Sequence, residues 1–153
     1  MEMPSEKMQT SGEKEFQEEA WLDLAGVDFS LSPARKILIV DDEKEIRDLV
    51  RETLMIDNFQ VVEAATGDEA YRMVQKDPPD LLILDVKMPG QLDGISLTAK
   101  LKQNAATRHI PIFLLTAVQM DLGDDTRIYP DAIFYKPFSP MDLLDRITAL
   151  FSD

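Results

Sequence analysis

The chain has 153 residues, enough for one well-packed domain and too few for two of ordinary size. Its apolar content of 44% includes no unbroken run near the roughly 20 residues that span a bilayer, so the composition points to a soluble globular protein with no membrane segment. Sixteen basic against 29 acidic residues give a net charge of −13, which opposes direct nucleic-acid binding, and zero cysteines exclude disulfides, iron–sulfur clusters and thiolate zinc sites.

The first 35 residues form an acidic extension, with eight acids against three bases. MEMPSEKMQT lacks the basic-then-apolar order of a signal peptide, so a cytoplasmic location is expected. Thr10 and Glu13 form a capping-box pattern ahead of Phe16, Ala20, Trp21 and Leu24, with Gly26 placed to end the helix. Val27, Phe29 and Leu31 then alternate with polar residues. This is more apolar surface than a plain tail carries, and the extension is expected to be partly helical or docked, on its own chain or on a second copy.

A second region, 36–153, alternates strand and helix patterns. KILIV (36–40) and LLIL (81–84) are continuous apolar runs, as strands buried on both faces require, and QVVEA (60–64), HIPIFLL (109–115) and AIFY (132–135) fit the same role. Between them, Ile46, Leu49, Val50, Thr53 and Leu54 recur at helical spacing. Thr66 with Glu69 makes a capping box before Ala70, Tyr71 and Val74, and a third helix begins near Gly94 with Ile95, Ala99 and Leu101. The last helix has Ser139 as N-cap, Pro140 at its first position and Asp142 three residues on, followed by Leu143, Ile147, Leu150 and Phe151. Five β/α units of this kind predict an α/β fold, a doubly wound five-stranded parallel sheet with helices on both faces. In such sheets the ligand site lies beyond the carboxyl ends of the strands, where the winding direction changes.

The polar residues that end the strands fall at that place. Asp41 and Asp42 follow the first strand and Asp85 the third, so three carboxylates converge and their repulsion needs relief. Mg²⁺, a hard cation that prefers one or two carboxylates, waters and a phosphoryl oxygen, answers that need. The competing reading, that Asp41, Asp42 and Glu43 merely begin a helix, weakens as Asp85, Thr116 and Lys136 join the same edge. Lys136 is followed by Pro137, which forces it into an extended conformation and can leave the peptide bond cis. Thr116 offers a short hydroxyl donor, with Ala117 leaving room beside it. His109, the single histidine, reads as a surface loop residue, not a catalytic base.

This ordered set, Asp41-Asp42, then Asp85 within LDVKMPGQLDG, then Thr116-Ala117, then Lys136-Pro137-Phe138, resembles the receiver domains of two-component response regulators from Lys36 to about Phe151. The resemblance implies a flavodoxin-like sheet of order 2-1-3-4-5 and Asp85 as acceptor of a phosphoryl group from a histidine kinase. It also implies Mg²⁺ held by Asp42, Asp85 and the backbone carbonyl of Lys87, with Asp41 acting through a metal-bound water, and Thr116 and Lys136 touching phosphoryl oxygens. No enzymatic turnover is expected beyond Mg²⁺-dependent self-phosphorylation and slow autodephosphorylation. With two residues after Phe151, an output domain is not expected in this chain, so signalling would run through an unknown downstream protein, and a homodimer through the extension or the 119–151 face is a further expectation.

Several positions depart from the family pattern. MPGQLDG has one residue more than the common spacing before Asp93-Gly94. QMDLGDDTRIYP (119–130) places Gly123 amid acids where an amphipathic helix belongs, and Tyr129-Pro130 replaces a small pair. Three residues before Lys136, the usual aromatic is Ile133, with Phe134 and Tyr135 adjacent as substitutes should the register shift. A pseudo-receiver that acts without phosphate is therefore an alternative. A phosphohydrolase of the haloacid dehalogenase type ranks lower, because it wants a second Asp where Lys87 stands.

Overall fold

A computed structural model describes residues 34–88, 90, 92–117 and 130–152; the expectations placed on the extension up to residue 33 and on 119–129 lie outside the described residues. Alternating apolar segments form strands β1 (Lys36–Val40), β2 (Gln60–Ala64), β3 (Leu81–Asp85), β4 (Ile112–Thr116) and β5 (Ala132–Tyr135). Helices α1 (Lys44–Leu54), α2 (Gly67–Lys76), α3 (Gly94–Lys102) and α4 (Pro140–Phe151) connect or follow them. The pairs among these five strands are parallel and their order is β2-β1-β3-β4-β5, as the sequence predicts.

Because side chains alternate across a strand, each strand feeds two cores. Leu38, Val40, Leu82, Leu84, Ile112 and Leu114 meet α2 and α3 through Ala70, Val74, Leu97 and Leu101. On the opposite face, Ile37, Ile39, Leu81, Ile83, Phe113 and Leu115 meet α1 and α4 through Val50, Leu54, Leu143, Leu144 and Ile147. Each fully buried Leu or Ile contributes about 1.5–3 kcal/mol by leaving water. Together the two layers hold the strand ends in register.

Among the described residues, three helix starts are capped by side chains, each worth about 1 kcal/mol. Thr66 accepts from the Glu69 N–H at 3.1 Å, and the Glu69 carboxylate returns to the Ala65 N–H at 2.9 Å, one residue earlier than a standard capping box. Asp93 accepts from the Ser96 N–H at 2.8 Å and Ser139 from the Asp142 N–H at 3.2 Å. Asp93 as N-cap is not among the caps expected from the sequence.

Three expectations are corrected. β2 lies at the edge of the sheet, so Val61 and Val62 are only half-buried rather than covered on both faces. β4 starts at Ile112 and not at His109, because residues 104–110 are taken up by turns closed by bonds such as Ile110 N–H to Thr107 C=O at 3.0 Å. Leu49 is exposed; the inner face of α1 is carried by Val50, Thr53 and Leu54, with Ile46 at its margin. His109 is exposed, in line with its reading as a loop residue. Among the described residues, no helix is long and apolar enough to cross a membrane.

Candidate functional site

The winding direction changes between β1 and β3, the central neighbours, whose chains leave toward β2 and β4 respectively. Asp41 and Asp42 follow β1, and Asp85 is the last residue of β3. The structure brings all three together: each offers a carboxylate oxygen, and these oxygens lie within 4.8 Å of one another. A cleft of about 250 Å³ opens above them, lined by Asp42, Glu43, Asp85, Lys87, Thr116, Ala117 and Lys136. A second cleft of about 240 Å³ lies at the opposite end of the sheet beside Lys36, Leu38 and Met73, with largely apolar walls and no such carboxylate cluster.

Asp41 is fully buried, and its polar atoms are all engaged. Its Oδ1 accepts from the Glu43 N–H at 2.9 Å, its Oδ2 from Lys136 Nζ at 3.0 Å, and its carbonyl oxygen from Arg47 Nη1 at 2.7 Å. Asp42 is exposed and, among the described residues, its carboxylate has no hydrogen bond or ion pair. The N-cap of α1 is Glu43, and neither Asp41 nor Asp42 caps that helix.

Asp85 is 6% exposed, and Lys136 Nζ lies 3.4 Å from its Oδ1. Burial, then the charge of Asp41, pushes the Asp85 carboxyl up to about 6, with Lys136 offsetting only part of the rise. Burial works against the Lys136 ammonium, but the Asp41 hydrogen bond and the charges of Asp41 and Asp85 hold it above the usual lysine range. Lys136 pairs with Asp41 and Asp85 and lies 3.8 Å from a Glu43 oxygen, and among the described residues the cluster of Asp41, Asp42 and Asp85 is short of positive charge. The donor set is all oxygen, compact and anionic, which fits a hard divalent cation such as Mg²⁺.

The approach of Lys136 is set by β5: its N–H bonds the Thr116 carbonyl at 2.7 Å, and the Lys136-Pro137 peptide is cis. Thr116 is buried at the end of β4 and paired with Tyr135 across the ladder. The register pairs Leu114 with Ile133 and Leu115 with Phe134, so no shift brings an aromatic to position 133. Ile133 packs on the α2–α3 side, whereas Phe134 packs on the other face, its ring 5.8 Å from that of Phe113.

Glycine is needed at two positions beside the site, one for a close approach and one for its backbone conformation. A Cβ on Gly94 would collide with the Asp85 carbonyl oxygen and sit 2.7 Å from the Val86 Cα, so the start of α3 lies directly against the end of β3. The Gly94 N–H also bonds the Val86 carbonyl at 2.8 Å. In the lengthened loop, Gly90 adopts φ 101°, a left-handed conformation that suits glycine. Sequence reasoning missed Arg47 and Glu63, although an acid inside the apolar run QVVEA, close to a site of like charge, was a signal that it needed a cationic partner.

The response regulator receiver domain family matches residues 37–148. The phosphate regulon transcriptional regulatory protein PhoB of Escherichia coli (strain K12) is 40% identical over 119 residues, covering 76% of this chain and 52% of that protein. The probable transcriptional regulator ycf27 of Cyanophora paradoxa is likewise 40% identical over 119 residues, covering 76% and 48%. The chain therefore spans about half the length of the curated relatives it matches. Among solved structures, the chemotaxis response regulator CheY4 of Vibrio cholerae superimposes with a TM-score of 0.68 at 29% identity, covering 78% of this chain and 100% of that one. A response regulator from Chloroflexus aurantiacus gives the same score at 32% identity, covering 77% and 98%.

Proposed function

The chain belongs to the response regulator receiver domain family, and from that premise we propose that Asp85 accepts a phosphoryl group from the phosphohistidine of a histidine kinase. The observation that carries this reading is the convergence of Asp41, Asp42, Asp85 and Lys136 at the switch point of the sheet. An Asp85 carboxylate oxygen attacks phosphorus, the bond from phosphorus to the donor imidazole nitrogen breaks, and the electron pair leaves with that nitrogen, which takes up a proton. Lys136 and Thr116 then hold the transferred oxygens; such transfer needs positioning and charge neutralisation more than acid–base chemistry. Bound Mg²⁺ would supply further neutralisation and in-line alignment, held by Asp42, Asp85 and the Lys87 carbonyl with Asp41 reaching it through water. Slow return of phosphate to water would be the only turnover.

We place the receiver at 36–153 and the extension at 1–35, in the cytoplasm, where the kinase partner would act. Relatives are named as transcriptional regulators, but the net charge of −13 supports an output through a downstream protein in place of direct contact between this chain and nucleic acid. The test is incubation with acetyl phosphate and Mg²⁺: a mass gain that disappears in Asp85→Ala supports the reading, and no gain in the wild type sinks it. Ile133, held in register against Leu114, favours one variation. The protein would then take phosphate without the aromatic rotamer change found elsewhere in the family. If partner affinity were the same with and without beryllofluoride, a phosphate-independent interaction module would replace the switch.

A further inference from the structure

The β1–β2 ladder ends with the Asp41 N–H on the Ala64 carbonyl at 3.2 Å. β2 ends at Ala64 and the chain turns into α2, with Thr66 as its N-cap and the Ala65 N–H on the Glu69 carboxylate at 2.9 Å. Among the described residues, the Asp41 carbonyl has no strand partner at the point where the chain enters the site. Arg47, one turn into α1, fills that place with Nη1 at 2.7 Å. Its Nε donates at the same time to Glu63 Oε1 at 3.0 Å. The other oxygen of Glu63 is held by Arg51, which also pairs with Asp48 at 3.0 Å.

We infer that Arg47, aimed by Glu63, is a positioning residue that sets the Asp41–Asp42 peptide and thereby the place of the Asp42 carboxylate. Asp41 is held by its own side chain, through Glu43 and Lys136. The Asp42 side chain has no such hold among the described residues, so its direction follows from the backbone before it. The carbonyl of that backbone is pinned by Arg47. Glu63 has a second effect: it balances the guanidinium charge, so Arg47 does not act as a substitute cation among the site carboxylates. Burial opposes the Glu63 charge, but the hydrogen bonds from Arg51 and Arg47 hold its carboxyl below the usual range, so it is ionised when the site is. Only a planar fork can bond both partners at once, and a lysine at position 47 would serve one of them.

The inference rests on the metal site proposed above, and its test reads metal binding apart from phosphorylation. Calorimetric titration of the full chain with Mg²⁺ should show Arg47→Gln weakening binding about tenfold, the scale of one charge-assisted hydrogen bond. Arg51→Gln, which loses a bond to the same glutamate but touches no part of the site, should change it less than about twofold. Urea midpoints measured in EDTA should fall in both variants, which separates support of the fold from support of the site. Equal Mg²⁺ affinities in Arg47→Gln and wild type, or equal shifts in the two variants, would overturn the inference. Should Arg47→Gln not fold, Glu63→Gln decides: it should weaken Mg²⁺ at least threefold, and no shift overturns the inference. Wild type that binds Mg²⁺ but gains no mass from acetyl phosphate would end the phosphoacceptor reading while leaving this one measurable; wild type that binds no Mg²⁺ ends both.

Discussion

The two ends of the sheet treat charge in opposite ways. At the amino ends, each buried or half-buried charge has matched partners. The Lys36 ammonium bonds the Asp77 carbonyl at 2.9 Å and pairs with the Asp77 carboxylate, while its N–H takes Asp80 Oδ2 at 2.7 Å. Lys102 likewise reaches the Ile110 and Arg108 carbonyls at 2.9 and 3.2 Å and Asp131 at 3.4 Å, and Asp131 also accepts from the Ile112 N–H at 2.8 Å. At the carboxyl ends, Asp41 and Asp85 are buried and, among the described residues, only Lys136 pairs with them. The first arrangement lowers the energy of the fold, whereas the second leaves unfavourable charge in place, which a ligand of opposite sign can relieve.

That contrast predicts effects of opposite sign. Asp85→Asn should abolish acetyl phosphate labelling and at the same time raise the stability of the metal-free protein by about 1–3 kcal/mol at neutral pH, because a charge held at a cost is removed. The pH dependence gives the sign directly. Folded Asp85, at about 6, binds more protons than the unfolded chain, at 3.8, so its contribution to stability is greatest below pH 3.8 and declines as pH rises through about 6. Urea midpoints in EDTA should therefore show the difference between wild type and Asp85→Asn widening over that window, and Mg²⁺ should narrow it. Glu63 should behave in the reverse sense, its stabilisation present above pH 4.5 and lost as pH falls through its lowered value.

Gly94→Ala breaks the pattern. It lies at the carboxyl end, yet its new Cβ would meet backbone atoms of Asp85 and Val86, so stability should fall by about 1–3 kcal/mol and labelling with it. At the other end, Lys102→Met should cost about 1–3 kcal/mol by leaving carbonyls and Asp131 without their donor, while labelling of the folded protein stays intact. The smallest effect belongs to Lys44→Ala on the outer face of α1, where the pair with Asp48 at 2.7 Å is exposed to solvent; the urea midpoint should stay within the scatter of replicate titrations.

Much of this contrast is legible in the order of residues alone. The run KILIV ends in two aspartates and LLIL in a third because a strand buried on both faces must be continuously apolar, and its polar residues gather where it leaves the sheet. The caps at Thr66 and Ser139 can be read because capping is local, requiring a side chain and an N–H three residues away. Leu49 and the start of β4 mislead for the opposite reason. Periodicity marks an apolar stripe but not its edge, and a Pro-containing apolar run does not say where turns stop and pairing begins.

By itself, therefore, the sequence determined the strand-and-helix order, the two-sided burial of the central strands and the identity of the residues that end them, since each follows from local spacing and the cost of burying polar groups. Only the tertiary structure decided which charges face which. It set Lys136 between Asp41 and Asp85, held Ile133 and Phe134 on opposite faces, and joined Arg47 to both Glu63 and the Asp41 carbonyl. Those contacts link residues up to 95 positions apart, and their distances depend on how whole layers pack, which no local pattern encodes.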